Sequence, residues 1–162
     1  MLWLGHLGFT LFIGTFLFLP SLFVAIGVLL PDIVDKGLLF LGLSEYSRLY
    51  AHNIFFPPIA SAILYATTRR KDMSIALLFG GYMHLIEDAR HTVPWLWPFV
   101  NYDLIPTSGI TIALDTFDIV VESIGLSLLA ALFLFRRNVL SLRGKLLAKI
   151  EDLYGRRIVK KV

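Results

Sequence analysis

Residues 9–30 carry no charged side chain and residues 119–135 carry one, Glu122. With 57 % of 162 residues hydrophobic, 17 % charged and a mean hydropathy of +0.75, the chain has more apolar surface than a soluble domain of this size hides. A bilayer is the sink that such runs point to. The expected fold class is all-α, a compact polytopic membrane helical bundle with short or broken helices and an interfacial loop. An unusually greasy soluble bundle is the rival. There is no cysteine, so disulfides and thiolate metal ligands are excluded and any metal must be held by oxygen and nitrogen. The net charge of +3 comes mainly from the tail, which speaks to topology and lipid contact and predicts no nucleic-acid partner. The first 30 residues lack a basic start, so a cleaved signal peptide is not expected.

In chain order, residues 2–19 and 22–30 read as two apolar helices joined at Pro20 and Ser21. A tight reversal there returns His6 and Asp32 to one depth, whereas a straight helix would separate them by about 39 Å. Pro31 is expected to end the second helix, with Asp32 or Asp35 capping the next element. Residues 38–43 are too short to span a membrane, and residues 44–50 form a polar link. His52 opens an apolar run to Thr67 whose first half Pro57 and Pro58 should kink. Residues 73–87 form the next helix, with Gly80 and Gly81 for close contact. Residues 92–116 are irregular, and Trp95, Trp97, Phe99 and Tyr102 read as an interfacial belt. Residues 120–135 form the last span, stopped by Arg136 and Arg137. The expected division is a membrane-embedded helical domain over 1–137 and a basic amphipathic tail over 138–162. Leu142, Leu146, Leu147, Ile150 and Leu153 of that tail would rest it on anionic headgroups.

The segment 80–99 concentrates the chemistry. On a helix His84 and Asp88 are one turn apart and share a face, a chelating pair for a divalent ion. Glu87 and His91 lie beside them. Asp118 and Glu122 repeat the four-residue spacing. Basic clusters at 69–71 and 136–137, placed on the cytoplasmic side, put all four histidines and most non-terminal acids at the opposite end. Buried carboxylates need a proton, a cation or a metal to be tolerable. The candidate ligands are His6, Asp32, His52, His84, Asp88, His91, Asp118 and Glu122. Imidazoles and carboxylates suit zinc first, with manganese or iron as alternatives, in two or three ions. Each has a plainer reading: a hydrogen-bonded helix pair for His84 and Asp88, a cap for Asp118, interfacial polar residues for His6 and His91. Asp32, Arg48 and Arg90 are the candidate catalytic residues, although either arginine could be an ion-pair partner or hold an anionic phosphate. Asp103 is expected to be solvated.

His6, Leu30-Pro31-Asp32-Ile33-Val34-Asp35, Arg48-x3-His52-Asn53, Gly80 with His84-Leu85-Ile86-Glu87-Asp88, and Leu96-Trp97-Pro98 together resemble the membrane-bound metal-dependent hydrolases related to a bacterial inner-membrane protein described as LexA-binding. The family usually has histidine just before the arginine, where this chain has Ser47. The ligand order is similar, more distantly, to that of zinc-dependent phospholipase C and P1-type nucleases, with Asp118 standing where that group has histidine. The resemblance implies metal-dependent phosphoester cleavage.

The expected function is a membrane-embedded metal-dependent hydrolase of a phosphoester in a lipid or lipid-linked substrate, in a multi-pass cell-membrane protein with its site at the non-cytoplasmic face. The metals would activate water there. A proton- or cation-coupled transporter needs polar groups distributed across membrane depth. A non-catalytic docking protein would work through its basic tail.

Overall fold

The computed structural model describes residues 3–107, 115–135, 138–139, 141–142, 144–149 and 152. Five helices follow in order: α1 (Trp3–Phe16), α2 (Ser21–Phe40), α3 (Phe56–Thr68), α4 (Lys71–Glu87) and α5 (Thr116–Leu134). The chain divides into two units, Met1–Leu129 and Ala130–Val162. The second contains the end of α5 and helical turns within 138–152. Arg136, Arg137, Ile150 and Leu153, on which the stop signal, the expected domain boundary and part of the amphipathic tail rested, lie outside the described residues.

The reversal between α1 and α2, which the sequence left open against a straight helix, forms. Phe18 takes a left-handed φ of 60°, the Leu19 amide bonds back to the Gly14 carbonyl at 3.0 Å, and Pro20 precedes the first turn of α2. The expectation that Pro31 ends a helix does not hold, because α2 runs through it to Phe40. Proline removes one backbone donor and crowds the carbonyl four residues back, a cost of about 3 kcal/mol that packing of the whole helix overrides. Asp32 and Asp35 are consequently inside a helix and buried, and neither caps its start. Pro57 and Pro58 sit in the first turn of α3, where missing donors cost nothing, so they start that helix and do not kink it. His52 therefore belongs to the loop before α3.

The helix α4 packs on α1, α2 and α3. Its crossing with α2 is backbone-close: a Cβ on Gly80 would lie 2.4 Å from the Val24 carbonyl oxygen, and one on Gly27 would lie 2.3 Å from that of Leu77. The interior they enclose is unusual. Among the described residues eight hydrophobic side chains are buried, Val24, Val28 and Leu85 among them, against eleven polar ones including His6, Asp32, Asp35, His52, His84 and Asp88. An interior of that composition is tolerable only if its polar groups satisfy one another or a bound ion.

The expected polytopic membrane bundle is corrected at this point. Among the described residues only α5 is long and apolar enough to cross a membrane. At 14, 13 and 17 residues, α1, α3 and α4 reach roughly 20–26 Å, short of the ~30 Å hydrocarbon layer. The 20-residue α2 carries Asp32, Asp35 and Lys36. Asp32 and Asp35 turn inward, toward His52, His84 and the loop at 49–52, so these two acids, read as marks of one membrane face, belong to the polar interior of a helical bundle. The multi-pass cell-membrane assignment, the outward-facing site and the lipid-embedded reaction fall with it. Trp95 and Trp97 are half-buried on the loop that bears His52, not laid out as a belt. The Trp95 carbonyl accepts the Ile54 amide at 3.0 Å, and the Trp97 ring meets Tyr50 edge-on at 5.1 Å.

Candidate metal centre

Three helices and one loop converge on the cluster. His6 comes from α1, Asp32 from the middle of α2 and His84 from the last turn of α4. Asp88 is the C-cap of α4, its amide bonded to the His84 carbonyl at 3.0 Å. The loop is folded by Asp35, one turn after Asp32 on α2. Its carboxylate accepts the amides of Leu49 at 2.7 Å and Ala51 at 2.9 Å, which brings His52 inward. Asn53 then sets up α3, its side-chain carbonyl accepting the amides of Phe55 at 3.0 Å and Phe56 at 3.1 Å.

The two imidazoles meet between the carboxylates of Asp32 and Asp88. His52 Nε2 lies 3.1 Å from His84 Nε2, 3.5 Å from Asp32 Oδ1 and 3.7 Å from Asp88 Oδ2. His84 Nε2 lies 3.9 Å from the same Asp32 oxygen and 3.8 Å from the same Asp88 oxygen. Tetrahedral zinc with ligand bonds of about 2.0–2.1 Å puts its donors roughly 3.3–3.4 Å apart. These separations bracket that edge, and the side chains need only small adjustments. A second set uses the other side of Asp88, whose Oδ1 is 3.4 Å from His6 Nε2, while the His6 and His84 rings lie 4.5 Å apart. His84 belongs to both sets, His6 with Asp88 and Asp32 with His52, and each set could hold a divalent metal ion.

The unpartnered atoms test the fit. Among the described residues, the buried side-chain polar atoms without a hydrogen-bond partner are His6 Nε2, Asp32 Oδ1, Arg48 Nε, His84 Nδ1 and both carboxylate oxygens of Asp88. All six belong to this cluster, and four of them, His6 Nε2, Asp32 Oδ1 and the two Asp88 oxygens, face its other ligands. Leaving a buried polar group unsatisfied costs about 1–3 kcal/mol, and native proteins rarely do so. The residues fit a divalent cation.

The surrounding groups orient the ligands. His52 Nδ1 bonds to Asp35 at 2.7 Å and His6 Nδ1 to Glu87 at 2.6 Å, each leaving Nε2 for the cluster. A carboxylate behind an imidazole fixes the tautomer and raises ligand basicity. Glu87 also accepts from Thr10 at 2.9 Å, and the far oxygen of Asp32 takes Trp3 Nε1 at 2.7 Å and Lys36 Nζ at 2.5 Å. Electrostatics follow this wiring. Burial, with His6 and His52 beside it, pushes His84 down to about 3, so its ring is neutral and available as a ligand. Burial pulls His6 down as well, but Asp88 and Glu87 outweigh it and bring it up to about 9. Burial opposes ionisation of Asp32 and Asp88, yet their cationic neighbours hold both below the usual carboxylate range. Burial raises Glu87.

Of the remaining candidates, Arg48 reaches the cluster, its Nε 3.0 Å from Asp88 Oδ2. Arg90 does not: it pairs with Asp115 at 2.9 Å on the surface and lies over the Phe117 ring. His91, Asp118 and Glu122 lie outside both sets. Asp118 sits at the start of α5, where its amide bonds to Asp115 Oδ1 at 2.8 Å, and one of its own oxygens is 3.9 Å from His91 Nε2. Glu122 accepts the Gly5 amide at 3.0 Å, satisfying a donor at the start of α1. Asp103 is exposed, as expected. Asp35 and Glu87 are the residues that sequence spacing undervalued. Their signal was there, since each is an acid beside a candidate ligand acid, but their partners are 17 and 81 residues away. The transporter alternative falls with the multi-pass arrangement, since among the described residues only α5 is long and apolar enough to cross a membrane.

No family model, curated protein or solved structure matches this chain. The resemblance to membrane-bound metal-dependent hydrolases, and through it to phospholipase C and P1-type nucleases, is therefore withdrawn, since neither a matching family nor the multi-pass arrangement it implied accompanies the motifs.

Proposed function

We propose that this protein is a metal-dependent hydrolase of phosphoesters. The observation that carries the reading is the convergence of four unpartnered, buried ligand atoms from His6, Asp32 and Asp88 around the His84 ring. A bound divalent ion would supply water activated at neutral pH and a clamp for an oxyanion. The chain's own residues do the rest. Asp35 and Glu87 fix the imidazoles of His52 and His6, Lys36 and Trp3 hold one oxygen of Asp32 so that the other faces the cluster, and Arg48 places a positive charge beside Asp88. Zinc suits the set of His52, His84 and Asp32, two imidazoles and a carboxylate that leave a fourth position for water, whereas manganese favours six oxygen-rich ligands.

Metal analysis of the purified full chain, with hydrolysis of p-nitrophenyl phosphate and its bis-ester, tests this. At least one equivalent of divalent metal and chelator-sensitive turnover are expected. His84→Ala, which removes the residue shared by both sets, should lose the metal and reduce turnover at least about a hundredfold. A wild-type chain that holds no divalent metal, or a His84→Ala chain that keeps both metal and turnover, refutes the reading.

A further inference from the structure

The loop that delivers His52 also walls a second feature. A pocket of about 300 Å3 lies between residues 46–48 and 103–107, with His91 and Thr92 also lining it. That volume is at the lower end for small-molecule sites. Its lining is rich in hydroxyls, from Tyr46, Ser47, Thr92 and Thr107, together with the Arg48 guanidinium and the exposed Asp103. Two contacts join its walls. Ser47 Oγ and Thr107 Oγ1 are 3.3 Å apart, and the Thr107 amide donates to the Glu45 carbonyl at 2.8 Å.

Arg48 connects this pocket to the metal-ligating cluster. It lines the pocket, while its Nε sits 3.0 Å from Asp88 Oδ2 without the alignment of a hydrogen bond. A divalent ion on Asp88 would make the guanidinium a second cation beside the first. Asp88 faces only the Nε edge of the guanidinium, the rest of which borders the pocket, and a planar guanidinium pairs best with phosphate or carboxylate. A neighbouring pocket of about 220 Å3 lacks these properties, since Phe9, Ile13, Phe117 and Val121 make it apolar and its Arg90 is engaged by Asp115.

We infer that the 46–107 pocket binds the phosphate ester of a small polyhydroxy alcohol. Arg48 pairs with the phosphate on the side facing the cluster, and Asp103 with the Ser, Thr and Tyr hydroxyls takes the alcohol's hydroxyl groups. This assignment rests on the hydrolase reading for the metal, but the pocket can be tested separately.

Calorimetry of the zinc-loaded full chain with inorganic phosphate and with glycerol 3-phosphate, with zinc content measured on every sample, is the experiment. The wild type should bind both, the ester more tightly. Arg48→Gln should weaken both about tenfold or more with zinc content unchanged, and Arg48→Lys should recover part of the loss. Asp103→Ala should weaken the ester several-fold and leave inorganic phosphate unaffected. Arg48→Gln binding phosphate as tightly as the wild type overturns the inference, as does binding to phosphatidylglycerol vesicles without binding to the free ester. Arg48-dependent phosphate binding by a wild-type chain that retains no zinc supports the pocket and sinks the hydrolase reading alone.

Discussion

His84 occupies the position on which both metal-ligating sets depend, and its neutrality has a measurable consequence. In the metal-free protein its pKa is about 3, against 6.5 for an unperturbed histidine. Between those values the unfolded chain binds a proton that the folded chain refuses, so this stabilisation is complete above pH 6.5 and is lost as pH falls. His6 has the opposite sign. Raised to about 9, it contributes stability that is complete below pH 6.5 and is lost as pH rises through 9. His52 is also raised and adds to that alkaline limb. The expected outcome is a melting temperature of the chelator-treated protein that declines on both sides of about pH 6.5. Relative to the wild type, His84→Gln should flatten the acid side above the carboxylate range and His6→Gln the alkaline side. Melts across pH for the three proteins check this, and an unchanged acid limb in His84→Gln would mean that the ring is not held neutral in the fold. The histidines and Asp88 were legible in the sequence because residue type and helical spacing name them. The orienting role of Asp35 was not, since it depends on a loop that folds back 17 positions later.

At the scale of elements, the crossing of α2 and α4 brings Asp32 and His84 together, and glycine permits it. Gly80 has the Val24 carbonyl oxygen and the Val28 nitrogen within 2.4 and 2.8 Å of where a Cβ would stand. These are backbone atoms of a helix and cannot swing aside. Gly80→Leu should therefore destabilise the fold by about 1–3 kcal/mol or more and weaken metal binding, because the helices must separate. Gly37, on the same α2, has nothing within 4 Å of its Cβ position. Gly37→Ala should stabilise by about 0.5–1 kcal/mol through helix propensity alone. Thermal melts of the two variants should move in opposite directions. The sequence marked Gly80 and Gly81 as contact glycines and offered a turn at Pro20 as one of two readings beside a straight helix. It misjudged Pro31, Pro57 and Pro58, because a proline reports only that a donor is missing. Whether that donor would have been needed depends on where the helix begins.

For the whole molecule, the polar interior makes stability and ion binding one equilibrium. Zinc at about a hundredfold over its dissociation constant should add about 2.7 kcal/mol. For a chain of this length that corresponds to a rise of roughly 5–10 °C in melting temperature. The rise should be reversed by chelator and be far smaller with magnesium, which prefers an oxygen octahedron. Differential scanning calorimetry with and without each ion measures it, and equal shifts for the two metals would count against an imidazole site.

By itself the sequence determined which chemistry is available: no thiolate, four imidazoles, acids set at helical spacing among apolar runs, and helices throughout. Those properties are local, carried by residue identity and by the 3.6-residue period. Only the tertiary structure decided what the apolar runs and acids are for. Hydropathy sums over a segment and is blind to direction, so it treated the acids of α2 and α4 as marks of one membrane face. The side chains of Asp32, Asp35, Glu87 and Asp88 point inward, into an interior they share with His6, His52 and His84. Which acids serve as ligands and which orient imidazoles is settled by distances of a few ångströms between residues far apart in the chain, and no spacing rule contains them.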